Sequence, residues 1–320
     1  MTAISILGGG PAGSAAAISA IGAGVACSIV EKSRFPRHKV CGEFFSPEIQ
    51  AELVNLGAWD AFRAAGPAPV RHMRLCFGKR EKIARLPETA WGLSRYAFDL
   101  LMLERARELG ARVEPSAHEA RASVIACGRR LDDSPRGSRL FGFKGHFTGP
   151  TEDAVELFFF GRCYVGIAPV EHGRTNVCGL GPEDFLRRFD FDYDAVIRES
   201  PALAERMRPL ARSIDWLSTG PLKYGQSFGQ SSAYLAGDAL SFVDPFTGSG
   251  LVAAVKTGAL AGVAAARGEP VATYIRRCRA ALRRPFEVSS VFRKAIQGGL
   301  AERLVGLVPG RALFALTRPK

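Results

Sequence analysis

The first thirty-one residues constrain the fold more than any other part of the chain. An apolar run, Ala3–Leu7, leads into a glycine-rich turn, and a helix of small residues then leads to a second apolar run, Val25–Val30. Two short apolar runs joined through such a turn and a helix predict a β–α–β unit with parallel strands. The glycines have the spacing G-x-G-x-x-G, at Gly8, Gly10 and Gly13.

Each glycine of this turn has a separate physical role. Gly8 permits the tight turn, Gly10 lets a pyrophosphate approach the backbone, and Gly13 lets the helix pack closely on its strand. The first helical residues, Pro11 and Ala12, begin a helix whose N-terminal N–H groups and partial positive charge suit phosphate oxygens. The turn therefore predicts a phosphate-binding site.

A carboxylate ends the second apolar run. Glu31 lies eighteen residues beyond Gly13, near the spacing at which an acidic residue holds the ribose of a bound dinucleotide. Lys32 follows it and is assigned to the same site. Together with the two strands and the glycine turn, this acid predicts dinucleotide binding. A signal peptide or membrane span is disfavoured, because the segment lacks a basic start and contains Pro11.

Composition narrows the class of protein. A chain of 320 residues with 47% hydrophobic and 23% charged residues is typical of a soluble globular protein with up to two domains. Seven cysteines without a C-x-x-C pair predict reduced thiols, a cytoplasmic protein and no metal site. A net charge of +12 favours an acidic carrier protein or peripheral contact with an anionic membrane, with solvated arginine as the simpler explanation. No helix-turn-helix or aromatic–basic motif supports nucleic acid.

Strand signals follow in two groups. Residues 70–86 predict a β-hairpin with its turn at Gly78 and Lys79. Four β-rich segments between residues 140 and 180 predict an antiparallel meander that forms a second domain. The predicted fold class is α/β (α+β overall), with a Rossmann-like nucleotide-binding domain, an inserted antiparallel β-sheet substrate domain and a C-terminal helical segment.

The nucleotide-binding domain is predicted to be discontinuous, because buried-strand signals recur at residues 124–126 and 233–236. The basic tail carries an apolar patch at residues 300–316, which suits either docking on an acidic surface or a helix that covers the cavity. The predicted domains are the nucleotide-binding domain, at residues 1–45, 92–130 and 225–266; the substrate domain, at residues 46–91 and 131–224; and the helical segment, at residues 267–320.

Four stretches of the chain resemble one family. They are GGGPAGSAAA with Glu31, SRYAFDLLMLERARELGA, YLAGDALSFVDPFTGSGLVAAVKTGALA and KVCGEFFSPE. In combination they are similar to the FAD-dependent oxidoreductases of the p-hydroxybenzoate hydroxylase superfamily, and within it to the geranylgeranyl reductase-like branch. The resemblance covers nearly the whole chain, and it implies bound FAD and an oxidoreductase activity.

The resemblance also implies a role for each matched residue. The pyrophosphate would lie at Gly10–Gly13, the adenosine ribose at Glu31, and Arg95 would contact the cofactor near the pyrophosphate or the flavin. At the other end of the cofactor, Asp238 would accept a hydrogen bond from the ribityl chain.

A second helix start would meet the flavin ring. By resemblance, the backbone N–H groups of Gly248, Gly250 and Leu251 would face the N1 and C2=O edge of the flavin. A helix N-terminus at this edge stabilises the negative charge that reduced flavin carries at N1.

The chain departs from the family pattern in several ways, and the Trp-x-Trp-x-Ile-Pro pattern of flavin halogenases is absent from it. Cys127 and Gly128 stand where the family often has Asp-Gly, which leaves two classes of electron donor open: NAD(P)H, or a reduced protein or quinol. Gly166 and Ala168 replace two aromatic residues of the isoprenoid reductases. A wider cavity for an apolar small molecule is expected there.

Four residues are candidates for the chemistry. Cys41 is the strongest catalytic candidate, because the preceding basic run Arg37–Lys39 would stabilise a thiolate; buried packing is the alternative. Glu43 suits an acid or base, although a solvated loop carboxylate is the commoner role. Tyr164 and His146 suit proton donors, with a packed tyrosine and a surface histidine as the commoner roles.

The predicted function is hydride transfer from reduced FAD to a C=C bond of an apolar lipid, polyketide or isoprenoid-like molecule, in secondary metabolism. One alternative is an FAD-dependent monooxygenase that hydroxylates an aromatic or polyketide ring. The other is a non-catalytic flavin-binding redox sensor or partner protein.

Overall fold

The glycine turn lies at one end of a parallel β-sheet in the computed structural model of the chain. The structure describes residues 3–115, 122–129, 139–222, 225–226, 231–242 and 248–282. Its strands, in chain order, are β1 (Ile4–Leu7), β2 (Cys27–Val30), β3 (Phe44–Phe45), β4 (Ala68–Phe77), β5 (Arg80–Gly92), β6 (Arg112–Glu114), β7 (Val124–Ile125), β8 (Leu140–Thr148), β9 (Ala154–Phe160), β10 (Cys163–Val170), β11 (Arg174–Pro182), β12 (Ala211–Arg212), β13 (Leu217–Leu222), β14 (Gly225–Gln226), β15 (Tyr234–Leu235) and β16 (Ser241–Phe242). Its helices are α1 (Pro11–Gly22), α2 (Ile49–Asn55), α3 (Trp59–Ala64), α4 (Arg95–Glu108), α5 (Glu183–Arg187), α6 (Tyr193–Arg198), α7 (Pro201–Met207) and α8 (Gly250–Ala266), and residues 271–282 are also helical.

The parallel sheet has the strand order β15–β7–β1–β2–β6. β1 pairs with β2 from Ile4 opposite Cys27 to Leu7 opposite Val30, and the other described pairs of this sheet are parallel too. α1 starts directly after β1 and returns the chain to β2. The predicted β–α–β unit and the α/β class are confirmed, and the carboxyl ends of the strands meet at one edge, where ligands bind in such sheets.

The second sheet has the order β12–β8–β11–β10–β9–β4–β5–β3, and β13 also pairs with β8. β4 and β5 form the predicted hairpin, with Gly78 and Lys79 between them. β9, β10 and β11 form an antiparallel meander. β8 pairs with β11 rather than with β9, so the predicted meander holds for three of its four strands. The sheet is nevertheless mixed, because β4 and β9 pair in parallel. A parallel pair needs a long crossover, and the chain between β5 and β8, which supplies α4, β6 and β7 to the first sheet, provides it.

α1 and α8 pack against each other through small residues. A Cβ added at Gly258 would lie 2.1 Å from the carbonyl oxygen of Ala12, and one added at Gly262 would lie 2.1 Å from that of Ala16. Only glycine permits this approach. The contact places the start of α8 beside the glycine turn, so that two helix N-termini point toward one region.

α2 and α3 pack in the same hydrophobic core as the parallel sheet. Ile49, Leu53 and Phe62 are buried there together with Phe98 and Met102 of α4. Part of the segment predicted to belong to the substrate domain thus contributes to the core of the first sheet. The domain boundaries themselves stay a prediction.

The two faces of the second sheet have different neighbours. α5, α6 and α7 cover one face, where Phe143, Val165 and Leu203 belong to one buried cluster. Residues of the other face, such as Leu157 and Leu180, form a second cluster. That second face is the one that looks toward the carboxyl edge of the parallel sheet, and a cavity lies between them.

The C-terminal helical residues pack behind the parallel sheet. The hydroxyl of Tyr274 donates a 2.6 Å hydrogen bond to the carbonyl oxygen of Leu235 in β15. The predicted apolar patch at residues 300–316 lies outside the described residues. Within the described part of the chain, no helix combines the length and the apolar character that crossing a bilayer requires.

The α1–α8 contact makes a testable prediction. Gly258→Ala inserts a Cβ against the Ala12 carbonyl oxygen, so we expect it to lower the free energy of unfolding by about 1–3 kcal/mol, measured by urea denaturation. The matched control is Gly22→Ala in α1, where a Cβ would meet no atom within 4 Å. Helix propensity predicts that this control is neutral or stabilising by up to about 1 kcal/mol. Equal losses in both variants would contradict the close contact.

Candidate active site

One cavity of about 380 Å³ joins the glycine turn to the second sheet. Its walls come from the carboxyl edge of the parallel sheet, from the starts of α1, α4 and α8, and from the inward face of the second sheet. Eleven of the predicted site residues line it: Gly8, Gly10, Pro11, Ala12, Glu31, Cys41, Arg95, Asp238, Gly248, Gly250 and Leu251. Gly13 and Lys32 lie outside the lining. The roles of these residues in binding stay predictions.

The glycine turn is sterically determined. Gly8 has a φ of +102°, and a Cβ there would lie 2.5 Å from the carbonyl oxygen of Ala126. A Cβ at Gly13 would lie 1.7 Å from the carbonyl oxygen of Gly8. Gly13 therefore serves the packing of α1 on the turn rather than the cavity wall, which is the role its position in the motif predicts.

Glu31 is held at the end of β2 by two backbone donors. Its carboxylate accepts hydrogen bonds from the N–H groups of Gly9, at 2.8 Å, and Ser33, at 2.7 Å. Burial alone would raise the pKa of Glu31, but these bonds and the nearby charge of Arg37 lower it below its ordinary value. The side chain is thus an ionised acceptor at the edge of the cavity.

Arg95 is fixed at the first turn of α4. Ser94 caps this helix, because its hydroxyl accepts a hydrogen bond from the N–H of Ala97 at 3.1 Å. One edge of the guanidinium faces Asp99: Nε donates to Oδ1, and Nη2 donates to Oδ2 at 2.7 Å. Burial works against its charge, but Asp99 raises the pKa of Arg95 well above its ordinary range. A permanent positive charge therefore stands in the cavity wall.

Asp238 follows a kink at the end of β15. Gly237 has a φ of +61°, and its N–H donates to the hydroxyl of Thr257 in α8 at 2.9 Å. The carboxylate of Asp238 lies 3.2 Å from Nε of Arg129. Arg129 also donates to the carbonyl oxygen of Val40 at 3.0 Å and lies over the ring of Phe242.

Four glycines open into the cavity. A Cβ at Gly42 or Gly250 would meet no atom within 4 Å, and at Gly10 and Gly128 the nearest atoms are side-chain nitrogens at 3.9 and 3.8 Å. All four line the cavity. Because glycine has no side chain, these four positions leave room for a ligand against the backbone. With two helix starts, the ionised Glu31 and Asp238 around that room, the residues present fit FAD.

Glu43 lies in a fully buried polar cluster. Its Oε1 accepts hydrogen bonds from the N–H of Arg95, at 2.6 Å, and from Nζ of Lys144, and its Oε2 lies 2.6 Å from Nε2 of His146. Burial alone would raise the pKa of Glu43, but Lys144 and His146 hold it below its ordinary value. The backbone of Glu43 is left-handed, with a φ of 54°, a conformation that a non-glycine residue keeps only when its surroundings impose it.

The expectations of a solvated Glu43 and a surface His146 are therefore wrong. Both side chains are fully buried, because β8 places Lys144 and His146 on the face that meets the loop before β3. Sequence reasoning also missed Lys144 and Arg129. One signal was available: in FGFKGHF, a lysine and a histidine alternate within an otherwise apolar strand and must share one face.

Cysteines line the cavity at three places. Cys41 is half-buried, and its Sγ accepts a hydrogen bond from the N–H of Glu43 at 3.4 Å. Cys127 is exposed at the end of β7, and burial raises the pKa of Cys178 to about 12. The catalytic role of Cys41 stays a prediction.

The far end of the cavity is apolar. Gly166 and Ala168, which stand where the isoprenoid reductases have aromatic residues, lie in its wall. The remaining wall of the second sheet and its neighbours is mostly hydrophobic: Met73, Val155, Leu157, Tyr164, Ile167, Leu180, Leu222 and Phe242. This end suits a largely apolar molecule.

Comparisons with known proteins show which solved structures share this fold. No family model matches the chain. A solved flavin-dependent brominase superposes with a TM-score of 0.81 at 19% identity, over 98% of this chain and 92% of that one. A geranylgeranyl bacteriochlorophyll reductase-like protein of Thermoplasma acidophilum superposes with a TM-score of 0.71 at 18% identity, over 98% and 91%. These two superpositions show that the chain has the fold of the flavin-dependent brominase and of the reductase-like protein.

The curated relatives of this chain have two kinds of activity, halogenation and reduction. A chlorinase of Pseudomonas fluorescens, named for a 1H-pyrrole-2-carbonyl group on a peptidyl-carrier protein, is 22% identical over 80% of this chain and 74% of that protein. A flavin-dependent halogenase of Armillaria mellea is 25% identical over 78% of this chain, which spans only 62% of that protein. A digeranylgeranylglycerophospholipid reductase of Methanopyrus kandleri is 27% identical over 82% and 76%.

Lys39 places a positive charge that depends on pH in the wall of the cavity. Its Nζ lies 3.8 Å from the place where a Cβ of Gly128 would be. Burial and the neighbouring charges of Arg95 and Arg37 lower the pKa of Lys39 to about 8. At neutral pH it is mostly charged and favours an anionic ligand, and this charge is lost as the pH rises through about 8.

The pKa of Lys39 makes a prediction about cofactor affinity. Above about pH 8 the free protein must take up a proton to bind an anion beside Lys39, so the affinity for FAD should fall by up to about tenfold between about pH 7 and 9. Fluorescence titration with FAD measures it. Lys39→Arg, which stays charged, should abolish the fall. If Lys39→Arg shows the same pH dependence as the native protein, another group titrates.

Proposed function

We propose that the chain binds FAD in this cavity and uses it to transform a mostly apolar small molecule held against the second sheet. One observation carries the proposal: a single cavity runs from the N-terminus of α1, past Asp238 and the start of α8, to the apolar wall around Leu157 and Leu180. A cofactor and a substrate in this cavity would touch each other. Bound FAD would supply two-electron transfer or the activation of dioxygen.

Each part of the cavity wall has a task in this proposal. Glu31 would accept hydrogen bonds from the adenosine ribose, and the first amides of α1 would bind the pyrophosphate beside Arg95. Asp238 would hold the ribityl chain and share its carboxylate with Arg129. The amides of Gly250 and Leu251 would face the flavin edge that becomes negative on reduction.

Halogenation of an electron-rich ring is the specific activity that the comparisons support most. Halogenases recur among the similar structures and among the curated relatives. Ring substitution releases a proton, and Glu43, which lines the cavity and is held by Lys144 and His146, is placed to receive it. A ring joined to an apolar tail would fill the far end.

Reduction of a C=C bond is a second candidate, and the cavity thiols favour it. Cys41, Cys127 and Cys178 line the cavity, and a halogenating oxidant released there would oxidise exposed thiols. Hydride transfer releases no such oxidant. The reductase of Methanopyrus kandleri, which aligns with 82% of this chain, supports the same reaction.

We propose a carrier protein as the partner that delivers the substrate. The substrate named for the Pseudomonas fluorescens chlorinase is attached to a peptidyl-carrier protein. A chain with a net charge of +12 attracts an acidic partner. The electron donor is either NAD(P)H or a reduced protein or quinol. Both classes stay open because Cys127 stands where the resembled family often has an aspartate.

Cofactor binding is the first test. We expect a yellow protein with the absorption spectrum of FAD, and we expect Glu31→Ala to weaken FAD binding by about tenfold to a hundredfold, because a hydrogen bond to an ionised group is lost. Glu114→Ala is the matched control, since Glu114 ends the neighbouring strand β6 and lies outside the cavity lining. Equilibrium dialysis measures both variants. A colourless protein that ignores added FAD contradicts the proposal.

The reaction is tested with an aromatic probe that carries an alkenyl tail. The FAD-loaded protein is reduced chemically and mixed with the probe, once in air with bromide and once without air, and the products are weighed by mass spectrometry. A brominated ring formed only in air supports halogenation, and a saturated tail formed without air supports reduction. Oxygen incorporated from labelled dioxygen identifies a hydroxylase. No turnover with any of several such probes identifies a non-catalytic flavin-binding protein.

A further inference from the structure

Three buried polar atoms near Glu43 have no hydrogen-bond partner among the described residues. They are Nδ1 of His38, Nδ1 of His146 and Oδ1 of Asn176. Buried polar atoms in folded proteins nearly always have a partner, and a water molecule supplies it where the protein does not. Three such atoms close together need a common explanation.

The three side chains are neighbours. Asn176 of β11 is the cross-strand partner of His146 in β8, so their side chains lie side by side on one face of the sheet. The rings of His38 and His146 meet edge to face, with centroids 5.2 Å apart. The amide nitrogen of Asn176 donates to the carbonyl oxygen of Cys41 at 3.0 Å, which turns its Oδ1 away from that bond.

Glu43 sets the tautomer of His146. Lys144 keeps the Glu43 carboxylate ionised, and an ionised carboxylate 2.6 Å from Nε2 accepts a hydrogen bond from an N–H at that position. In the neutral ring the proton is therefore on Nε2, and Nδ1 carries a free lone pair. A carboxylate-oriented histidine with a free ring nitrogen is an arrangement that transfers protons.

His38 continues the row toward the surface. Its ring stacks on Tyr96 of α4, with centroids 4.8 Å apart, and 41% of Tyr96 is exposed to solvent. Burial and the charges of Lys144 and His146 lower the pKa of His38. The neutral ring that results is able to accept a proton from solvent.

We infer that His38, Asn176 and His146 hold a water molecule and form a proton relay between the protein surface and Glu43 at the cavity. The inference rests on the proposed function, since a flavin reaction exchanges a proton with solvent in each turnover. For delivery, His38 takes a proton from solvent and passes one through the water to Nδ1 of His146. His146 gives its Nε2 proton to Glu43, and Glu43 gives it to the reacting molecule. One proton enters and one leaves, and no electron moves.

The charges around the relay favour passing a proton along it over holding an extra proton on both histidine rings. Two protonated rings beside Lys144 would repel each other, and Glu43 balances one positive charge at most. The titratable and charged groups that face the two rings come from four elements: Glu43 from the loop before β3, Lys144 from β8, Arg174 from β11 and Tyr96 from α4.

The first experiment reads the tautomer without any reaction. Long-range proton–nitrogen NMR of the histidine-labelled holoprotein should show His146 as the Nε2–H tautomer, with a shift change at His146 but not at His72 in Glu43→Gln. His72 is the internal control, because it lies on β4 outside the cavity lining and pairs with Asp153. An Nδ1–H tautomer of His146 overturns the relay.

The second experiment follows proton delivery. The FAD-loaded protein is reduced and mixed with a water-soluble quinone, which becomes a quinol by taking one hydride from the cofactor and one proton from solvent. We expect His146→Gln and His38→Gln to lower the rate at least about tenfold and to flatten its pH profile, and we expect added imidazole to restore part of the rate of His38→Ala. His72→Gln should behave like the native protein.

The outcomes separate the relay from the proposed function. A protein that binds no FAD overturns both. A protein that binds FAD and reduces the quinone, but keeps its rate and pH profile in His38→Gln, overturns the relay and leaves the proposed function intact. His38→Gln keeps the test decisive if the fully buried His146→Gln fails to fold.

Discussion

The start of α4 is the point on which the rest of the site depends. The first N–H groups of a helix have no partner within it, and here two buried carboxylates accept them. Glu171, at the end of β10, accepts from the N–H and the hydroxyl of Ser94, and Glu43 accepts from the N–H of Arg95. The negative charges also meet the positive end of the helix dipole. These bonds join the helix that carries Arg95 to both the second sheet and the loop that carries Cys41.

Lys144 and His146 complete this junction from β8. Because Glu43 and Lys144 are both fully buried, removing the charge of Lys144 would leave a buried carboxylate without its ion-pair partner, which costs about 3–5 kcal/mol. The same bonds hold Glu43 in its left-handed backbone conformation. The side chain therefore has a structural and a chemical task at once. It fixes the two sheets relative to each other, and it brings an ionised acceptor to the wall of the cavity.

The cavity has a polar end and an apolar end because its two walls are made differently. The parallel sheet contributes the ends of short strands and the starts of helices, where backbone groups and charged side chains meet. The second sheet contributes one complete face, on which hydrophobic side chains alternate toward the cavity. A cofactor that combines a charged pyrophosphate with a flat flavin ring suits the first wall. A molecule that is mostly apolar suits the second.

The sequence by itself determined the glycine turn, the parallel unit around it, the hairpin at residues 70–86 and the antiparallel strands between residues 140 and 180. These depend on spacing between near neighbours, such as the close approach of Gly13 to Gly8, and local spacing is visible in a sequence. The tertiary structure alone decided the environment of Glu43, His146 and Lys144. Glu43 meets Lys144 across 101 residues and His146 across 103, and only the register of β8 in its sheet brings them together. Burial turned a loop carboxylate into an ionised, shared acceptor, and burial is a property of the packed chain.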